Sequence, residues 1–239
     1  MDYEEITNAY SREQELSMSA AFPVLMRKVY VWMALALIIT GVTAYGIASS
    51  PGLIMTIAGN QILFWGLAIA ELALVIGLTA AINKLSLTTA TLMFVIYSII
   101  NGATMSFIFL LYTTSSIANV FFITAGTFAA MALFGYFTKT DLTSMGKILM
   151  MALIGIIIAT IVNIFTKSDG LAVILNYLGV LVFVGLTAYD SQKIKEMLLM
   201  APDTGEGAQK IALLGALSLY LDFINLFLYL LRILGSRRD

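Results

Sequence analysis

From Val29 onward the chain is a series of apolar runs, each about as long as a bilayer is thick, separated by single charges or small polar clusters. A hydrocarbon layer of about 30 Å takes roughly 20 helical residues to cross. The first run covers about 29–50 and ends at Ser49-Ser50-Pro51-Gly52; the second covers about 62–82 and ends at Asn83-Lys84. The uncharged stretch from Leu85 to Thr138 is too long for one helix. Its polar cluster Thr113-Thr114-Ser115-Ser116 divides it into spans near 87–112 and 117–137. Three more follow at about 148–166, 171–194 and 211–234. The pattern predicts an all-α polytopic membrane protein with seven transmembrane helices. A polar tail, 1–28, precedes a membrane domain, 29–235, and a short basic tail, 236–239, follows it.

Composition narrows the chemistry. Of 239 residues 60% are hydrophobic and 11% charged, with 13 basic against 14 acidic residues and a mean hydropathy of +0.96. Soluble domains carry roughly 25% charged residues. Disorder, a disulfide scaffold and a nucleic-acid binder are excluded together. Zero His removes imidazole metal sites, Ser-His catalysis and histidine relays. Zero Cys removes thiol catalysis, thiolate sites and redox switching. No cofactor is expected. The side chains left to handle protons near neutrality are carboxylates.

The first 28 residues are polar and net acidic and lack a basic leader into a short apolar core, so no cleaved signal peptide is expected. All three prolines, Pro23, Pro51 and Pro202, fall outside the predicted spans. Small residues at four-residue spacing, Ser98-Gly102-Ser106 and Gly126-Ala130, read as places where helices approach closely in lipid. Lys and Arg counts in the short loops set orientation. With the N-terminus inside, nine basic residues face the cytoplasm, from Arg12 to Lys210, against Lys167, Arg232, Arg237 and Arg238 outside. The bias predicts a cytoplasmic N-terminus in a cell (inner) membrane.

Ionisable groups inside a bilayer cost at least a few kcal/mol each and mark function by default. Glu71 lies near the middle of the second span, Asp222 deep in the last, and Asp190 at the end of the apolar run 180–189. No breaker follows Asp190 before Pro202, so the sixth helix continues past the membrane surface. At 1.5 Å per residue, two antiparallel helices joined by that short loop bring Asp190 and Asp222 to within about one turn in height. The seventh helix carries a polar stripe, Gly215, Ser218, Asp222, Asn225, Tyr229 and Arg232, and the sixth a matching row, Asn176, Gly179, Phe183, Thr187 and Asp190. Such stripes must face protein or water.

Two carboxylates held close in low dielectric cannot both ionise cheaply, and such a pair can share one proton. The pair suits acid–base hydrolysis, proton-linked transport or a pH-gated cation path. A hard cation such as Ca²⁺ takes several oxygen ligands; Asp190 and Asp222, with Glu71 and further oxygens, would make a weak, transient site. The hydrolytic option has a specific form, since intramembrane aspartyl proteases carry Tyr-Asp on one helix and Gly-x-Gly-Asp on the next. Tyr189-Asp190 fits the first half, but Leu219-Tyr-Leu-Asp222 has no glycine. A retinal-type protein is excluded because no Lys follows Lys210 in the last helix.

The block Gly185-Leu-Thr-Ala-Tyr-Asp-Ser-Gln-Lys-Ile194 and the block Ala216-Leu-Ser-Leu-Tyr-Leu-Asp-Phe-Ile-Asn-Leu-Phe227, within a seven-span layout, closely resemble the bacterial branch of the Bax inhibitor-1 family. The similarity runs from about Ala21 to the C-terminus. It implies a seven-helix fold with the last helix central. It also implies a pH-sensitive Ca²⁺ leak whose proton sensor is an aspartate pair on helices six and seven, here Asp190 and Asp222. Glu71 matches an acid associated with the ion path, to which Asn225 of the polar stripe is added. Some bacterial members close the path with an arginine latch at the end of helix two. Here that stretch reads Ala81-Ile82-Asn83-Lys84, and Lys84 is the candidate latch, without the planar fork of Arg. The resemblance further implies modulation of a membrane-bound AAA protease as a second class of function, for which the polar N-terminal stretch is the natural handle.

Overall fold

The computed structural model describes the backbone of residues 3–238 and the side chains from residue 20 to residue 238. Among these residues the chain forms nine α-helices and no strand: α1 (Tyr3–Ala48), α2 (Pro51–Gly59), α3 (Gln61–Ala81), α4 (Leu87–Met105), α5 (Ile108–Leu111), α6 (Thr114–Phe137), α7 (Thr143–Thr166), α8 (Asp169–Leu199) and α9 (Glu206–Leu234). Seven stretches are long and apolar enough to cross a membrane. They are Ala20–Ala48 of α1, then α3, α4 with α5, α6, α7, α8 and α9. The predicted sixth and seventh helices are therefore α8 and α9.

The polar residues that separate the spans turn out to start them. The Asn60 side chain accepts from the N–H groups of Ile62 and Leu63 at the head of α3. Ser86 caps α4 through Thr89 N–H, Thr113 caps α6 through Ser116 N–H, and Ser168 caps α8 through Leu171 N–H. Each cap satisfies donors that a helix leaves orphaned at its N-terminus, typically worth ~1 kcal/mol. Lys167 takes a left-handed conformation (φ 49°) to end α7 before Ser168 opens α8.

The structure corrects the sequence reading at the start of the first span. The segment expected to be a polar tail is helical from Tyr3, and its side chains before Ala20 lie outside the described ones. Ala21, Leu25, Met26, Val29 and Met33 are buried along one face, so the bundle begins well ahead of Val29. The charged pair Arg27-Lys28 misplaced that boundary: Arg27 is exposed, and the Lys28 ammonium donates to Gln209 Oε1 at 2.7 Å. Pro23 consequently lies inside α1, not outside a span. Pro51 opens the short helix α2 in the loop before α3, where its missing N–H costs nothing.

One helix is enclosed by the others. Of the apolar stretch of α9, 67% is buried, against 6% for α3 and for α7. Leu213, Leu219, Tyr220 and Leu226 of α9 are sealed off completely, and α9 packs against α1, α4, α6 and α8. Exposed Ile, Leu and Phe side chains cover the outside, including Ile62, Phe122 and Phe165. In water that surface would be untenable, and in lipid it is the expected exterior. The protein is an all-α, multi-pass membrane protein with its last helix at the centre.

Close approach depends on a few glycines. A Cβ on Gly102 would stand 2.7 Å from the Thr40 carbonyl oxygen, and one on Gly135 would collide with the Ala188 backbone. The Gly126-Ala130 pair does not act this way, since a Cβ on Gly126 meets only open space. Spacing alone identified one of the two sequence candidates.

Candidate functional site in the α8–α9 seam

Beside the facing stripes of α8 and α9 lies a partly open cavity of about 300 Å³, lined by Asp190, Ser218, Asp222, Asn225 and Tyr229 among apolar residues, with Met150, Leu153 and Ile157 of α7 on the remaining side. Asp222 is 5% exposed, and its Oδ2 is buried without a hydrogen-bond partner among the described residues. Asp190 is half-buried, with Ser218 and Lys193 as polar neighbours. Each of the two aspartates lies within electrostatic reach of the other. Asn225 spends its amide N–H on the Leu221 carbonyl (2.8 Å), which leaves its oxygen as an acceptor. The cavity thus offers oxygen atoms from four side-chain types and no resident cationic group among its lining residues.

Two neighbouring cavities continue the seam. Toward the α8–α9 loop, a volume of about 220 Å³ shares Asp190, Ser218 and Leu221 with the central one and adds Thr79 of α3 and Lys193. At the C-terminal end of α9, a volume of about 330 Å³ shares Tyr229 with it. Tyr229 is the partition on that side. Its ring stacks on Phe183 with centroids 5.8 Å apart and lies so close to α8 that a Cβ on Gly179 would fall 2.5 Å from it. The predicted row on α8 therefore meets the predicted stripe on α9.

Glu71 belongs to a different cluster. Its carboxylate accepts from the Thr104 hydroxyl at 2.7 Å and from the Asn101 amide at 3.4 Å. Asn101 Oδ1 in turn accepts from the Tyr220 hydroxyl at 2.9 Å, which lies 2.7 Å from the Thr40 hydroxyl. Tyr220 donates to Asn101 and Asn101 donates to Glu71, so two successive bonds run toward the carboxylate and polarise one another, while the Thr40 hydroxyl also lies within 3.0 Å of the Ser98 carbonyl oxygen. The expected three-acid cation site is not formed: among the described residues no three acidic side chains converge as metal ligands. On α3 it is Thr79, eight residues beyond Glu71, that reaches the seam.

The candidate latch also lies elsewhere. Lys84 is exposed in the turn between α3 and α4, and the one ion pair among the described residues is Lys210–Glu206 at 3.0 Å. The basic group beside Asp190 is Lys193, one turn along α8. Tyr189, which made half of a protease-like motif, packs its ring against Gly146 of α7 and so leaves the seam to Asp190. The cluster around Asn101 and Tyr220 was missed in the sequence, although Ser98, Asn101 and Thr104 form a polar row at three-residue spacing within an apolar span.

A central helix carrying a buried carboxylate against a second acid on its neighbour, among seven membrane-length helices, defines a polytopic membrane protein with an acidic pair in its bundle. The profile described as "Inhibitor of apoptosis-promoting Bax1" matches residues 23–239. The inner membrane protein YbhL of Escherichia coli is 49% identical over 221 residues, covering 92% of this chain and 94% of the relative. A Borreliella burgdorferi protein is 46% identical, covering 90% and 92%, and Rickettsia prowazekii protein RP147 is 44% identical, covering 90% of each. The chain belongs to the Bax inhibitor-1 family.

Proposed function

We propose that this protein is a pH-sensitive Ca²⁺ leak of the inner membrane, with Asp190 and Asp222 as its proton-sharing gate. The observation that carries this reading is Asp222 Oδ2, buried without a partner in a cavity that Asp190 also lines. An unsatisfied buried carboxylate oxygen is costly. A shared proton or a passing cation relieves that cost. With the proton in place the pair carries about one negative charge. Loss of that proton leaves two like charges in low dielectric, which separates α8 from α9 or draws in a cation. Asn225, Ser218 and Tyr229 supply further oxygens, a set suited to a hard cation held weakly enough to leave. Glu71 is assigned to cation attraction, and Lys84 is not needed as a latch while Lys193 stands beside Asp190. The excess of Lys and Arg at the α8–α9 loop end supports a cytoplasmic location for that end and for the N-terminus.

Hydrolysis is not part of this reading. α9 runs unbroken from Glu206 to Leu234, so the backbone around Asp222 offers a peptide substrate no opening. The test is Ca²⁺ flux into proteoliposomes of purified protein from about pH 5 to pH 8, on either side of neutrality. Wild-type flux should change steeply across this window, and Asp190→Asn and Asp222→Asn should each flatten the profile. Both variants keeping the wild-type profile would make the pair a packing seam. Absence of wild-type flux would leave the membrane-embedded modulator of a protease as the better reading.

A further inference from the structure

The segment 236–238, beyond the end of α9, is pinned to the start of α6 and the residues before it. Tyr112 and Arg237 form an antiparallel bridge, Thr113 N–H donates to the Ser236 carbonyl (3.2 Å), and Arg238 N–H donates to the Leu111 carbonyl (2.9 Å). Ser236 N–H adds a bond to Ser116 Oγ at 2.8 Å. This anchoring carries Arg237 to the rim of the cavity of about 330 Å³ at the C-terminal end of α9. Arg232 lines the same cavity with its guanidinium 5.3 Å from the Tyr229 ring centroid. Asn163 and Asn176 face it from α7 and α8, and among the described residues none that lines it is acidic. Among the described residues neither arginine has an ion-pair partner, the one such pair lying at the opposite end of the bundle.

We propose that this pocket binds a phosphate oxyanion between Arg232 and Arg237. Two guanidinium forks and the amides and hydroxyls of Asn163, Asn176, Tyr112 and Tyr229 approach from separate elements. That donor set matches the several oxygens of a tetrahedral phosphate better than the two of a planar carboxylate. The asparagine on α7 is already oriented, since its Oδ1 accepts from Ser168 N–H at 3.0 Å and from the Thr166 hydroxyl at 3.2 Å. Its amide N–H groups remain for a ligand. The pocket lies where the apolar spans end, a level at which the phosphate can come from a lipid headgroup or from a solute. The site is independent of whether the seam conducts ions.

The full-length protein in detergent is titrated separately with phosphatidylglycerol, with phosphatidylcholine and with inorganic phosphate at constant ionic strength, and thermal unfolding is followed. A midpoint rise with phosphatidylglycerol, but not with the zwitterionic lipid, identifies a lipid source; a rise with inorganic phosphate identifies a solute. In either case the apparent affinity should fall at least about tenfold in R232Q/R237Q, roughly 1.4 kcal/mol. Arg27→Gln, at the opposite end, should leave it unchanged. The single variant Arg237→Gln, exposed on the surface, serves if the double variant does not fold, with a fall of at least about threefold expected. No rise with either anion, or a rise that the arginine variants do not reduce, overturns the proposal.

Discussion

Glu71 and Asp222 both sit deep within membrane spans of this protein, in opposite surroundings. The carboxylate of Glu71 receives hydrogen bonds from Thr104 and Asn101, backed by Tyr220 and Thr40. Asp222, on the most enclosed helix, has one oxygen with no donor at all, and its acidic neighbour Asp190 makes matters worse. A partnered acid is held in place by its donors; an unpartnered one is relieved only when something arrives. The comparison separates an acid that shapes a field from an acid that changes state. Which residues are buried does not by itself make that distinction.

The comparison can be broken most severely by displacing α8, one wall of the seam, from the helix packed on its other side. A side chain at Gly135 would meet the Ala188 backbone, which cannot rotate away as a flexible side chain can. Gly135→Val should force α6 from α8 at a cost beyond the usual 1–3 kcal/mol of overpacking and abolish folded protein in a detergent-solubilised size-exclusion profile. Gly126→Val, facing open space, should elute as wild type. Equal behaviour of the two variants would mean that α8 is not fixed by this contact.

A gentler break exchanges charge for shape. Glu71→Gln keeps the shape and an amide oxygen that can accept from Thr104, and it removes the negative charge together with the longer contact from the Asn101 amide. Ca²⁺ flux into vesicles should fall several-fold, about 1 kcal/mol of lost attraction, while the pH profile keeps its shape. Unchanged flux at normal protein yield would exclude Glu71 from the ion path. Asp222→Asn should do the reverse and alter the profile more than the amplitude.

The seam was legible because its residues are polar in an apolar context and recur at helical spacing. Gly215, Ser218, Asp222, Asn225 and Tyr229 could be placed on one face without coordinates, and so could their partners on α8. The span count was equally open to reading, because Asn60, Ser86, Thr113 and Ser168 both interrupt hydropathy and cap helices. The start of the first span was hidden by Arg27 and Lys28, which extend from a helix whose other face is buried. Contacts between distant spans were not legible either. Periodicity does not say that Asn101 on α4 and Tyr220 on α9 meet, because that depends on how α4 packs on the central helix. For the same reason Gly102 and Gly126 looked alike, although only Gly102 touches another backbone.

The finest test asks whether the two acids are separable although their clusters share α9. Tyr220 and Asp222 are two residues apart, so they point to different sides of the helix. The tyrosine ring is edge-on to Phe94 and Tyr97 of α4, with centroids 5.8 Å away in each case, while Asp222 faces α8. Tyr220→Phe preserves that ring packing and removes only the hydroxyl. Asn101 Oδ1 then loses its donor in a buried site, which should cost about 1–3 kcal/mol and lower the thermal midpoint modestly. Combined with Glu71→Gln the cost should be non-additive, by about 0.5 kcal/mol or more, since both changes act on one hydrogen-bonded chain. Combined with Asp222→Asn it should add within about 0.5 kcal/mol, and the pH profile of flux in Tyr220→Phe alone should match wild type. A coupling of Tyr220→Phe to Asp222→Asn as large as that to Glu71→Gln would join the two acids into one network through α9, and the distinction between held and poised carboxylates would fail.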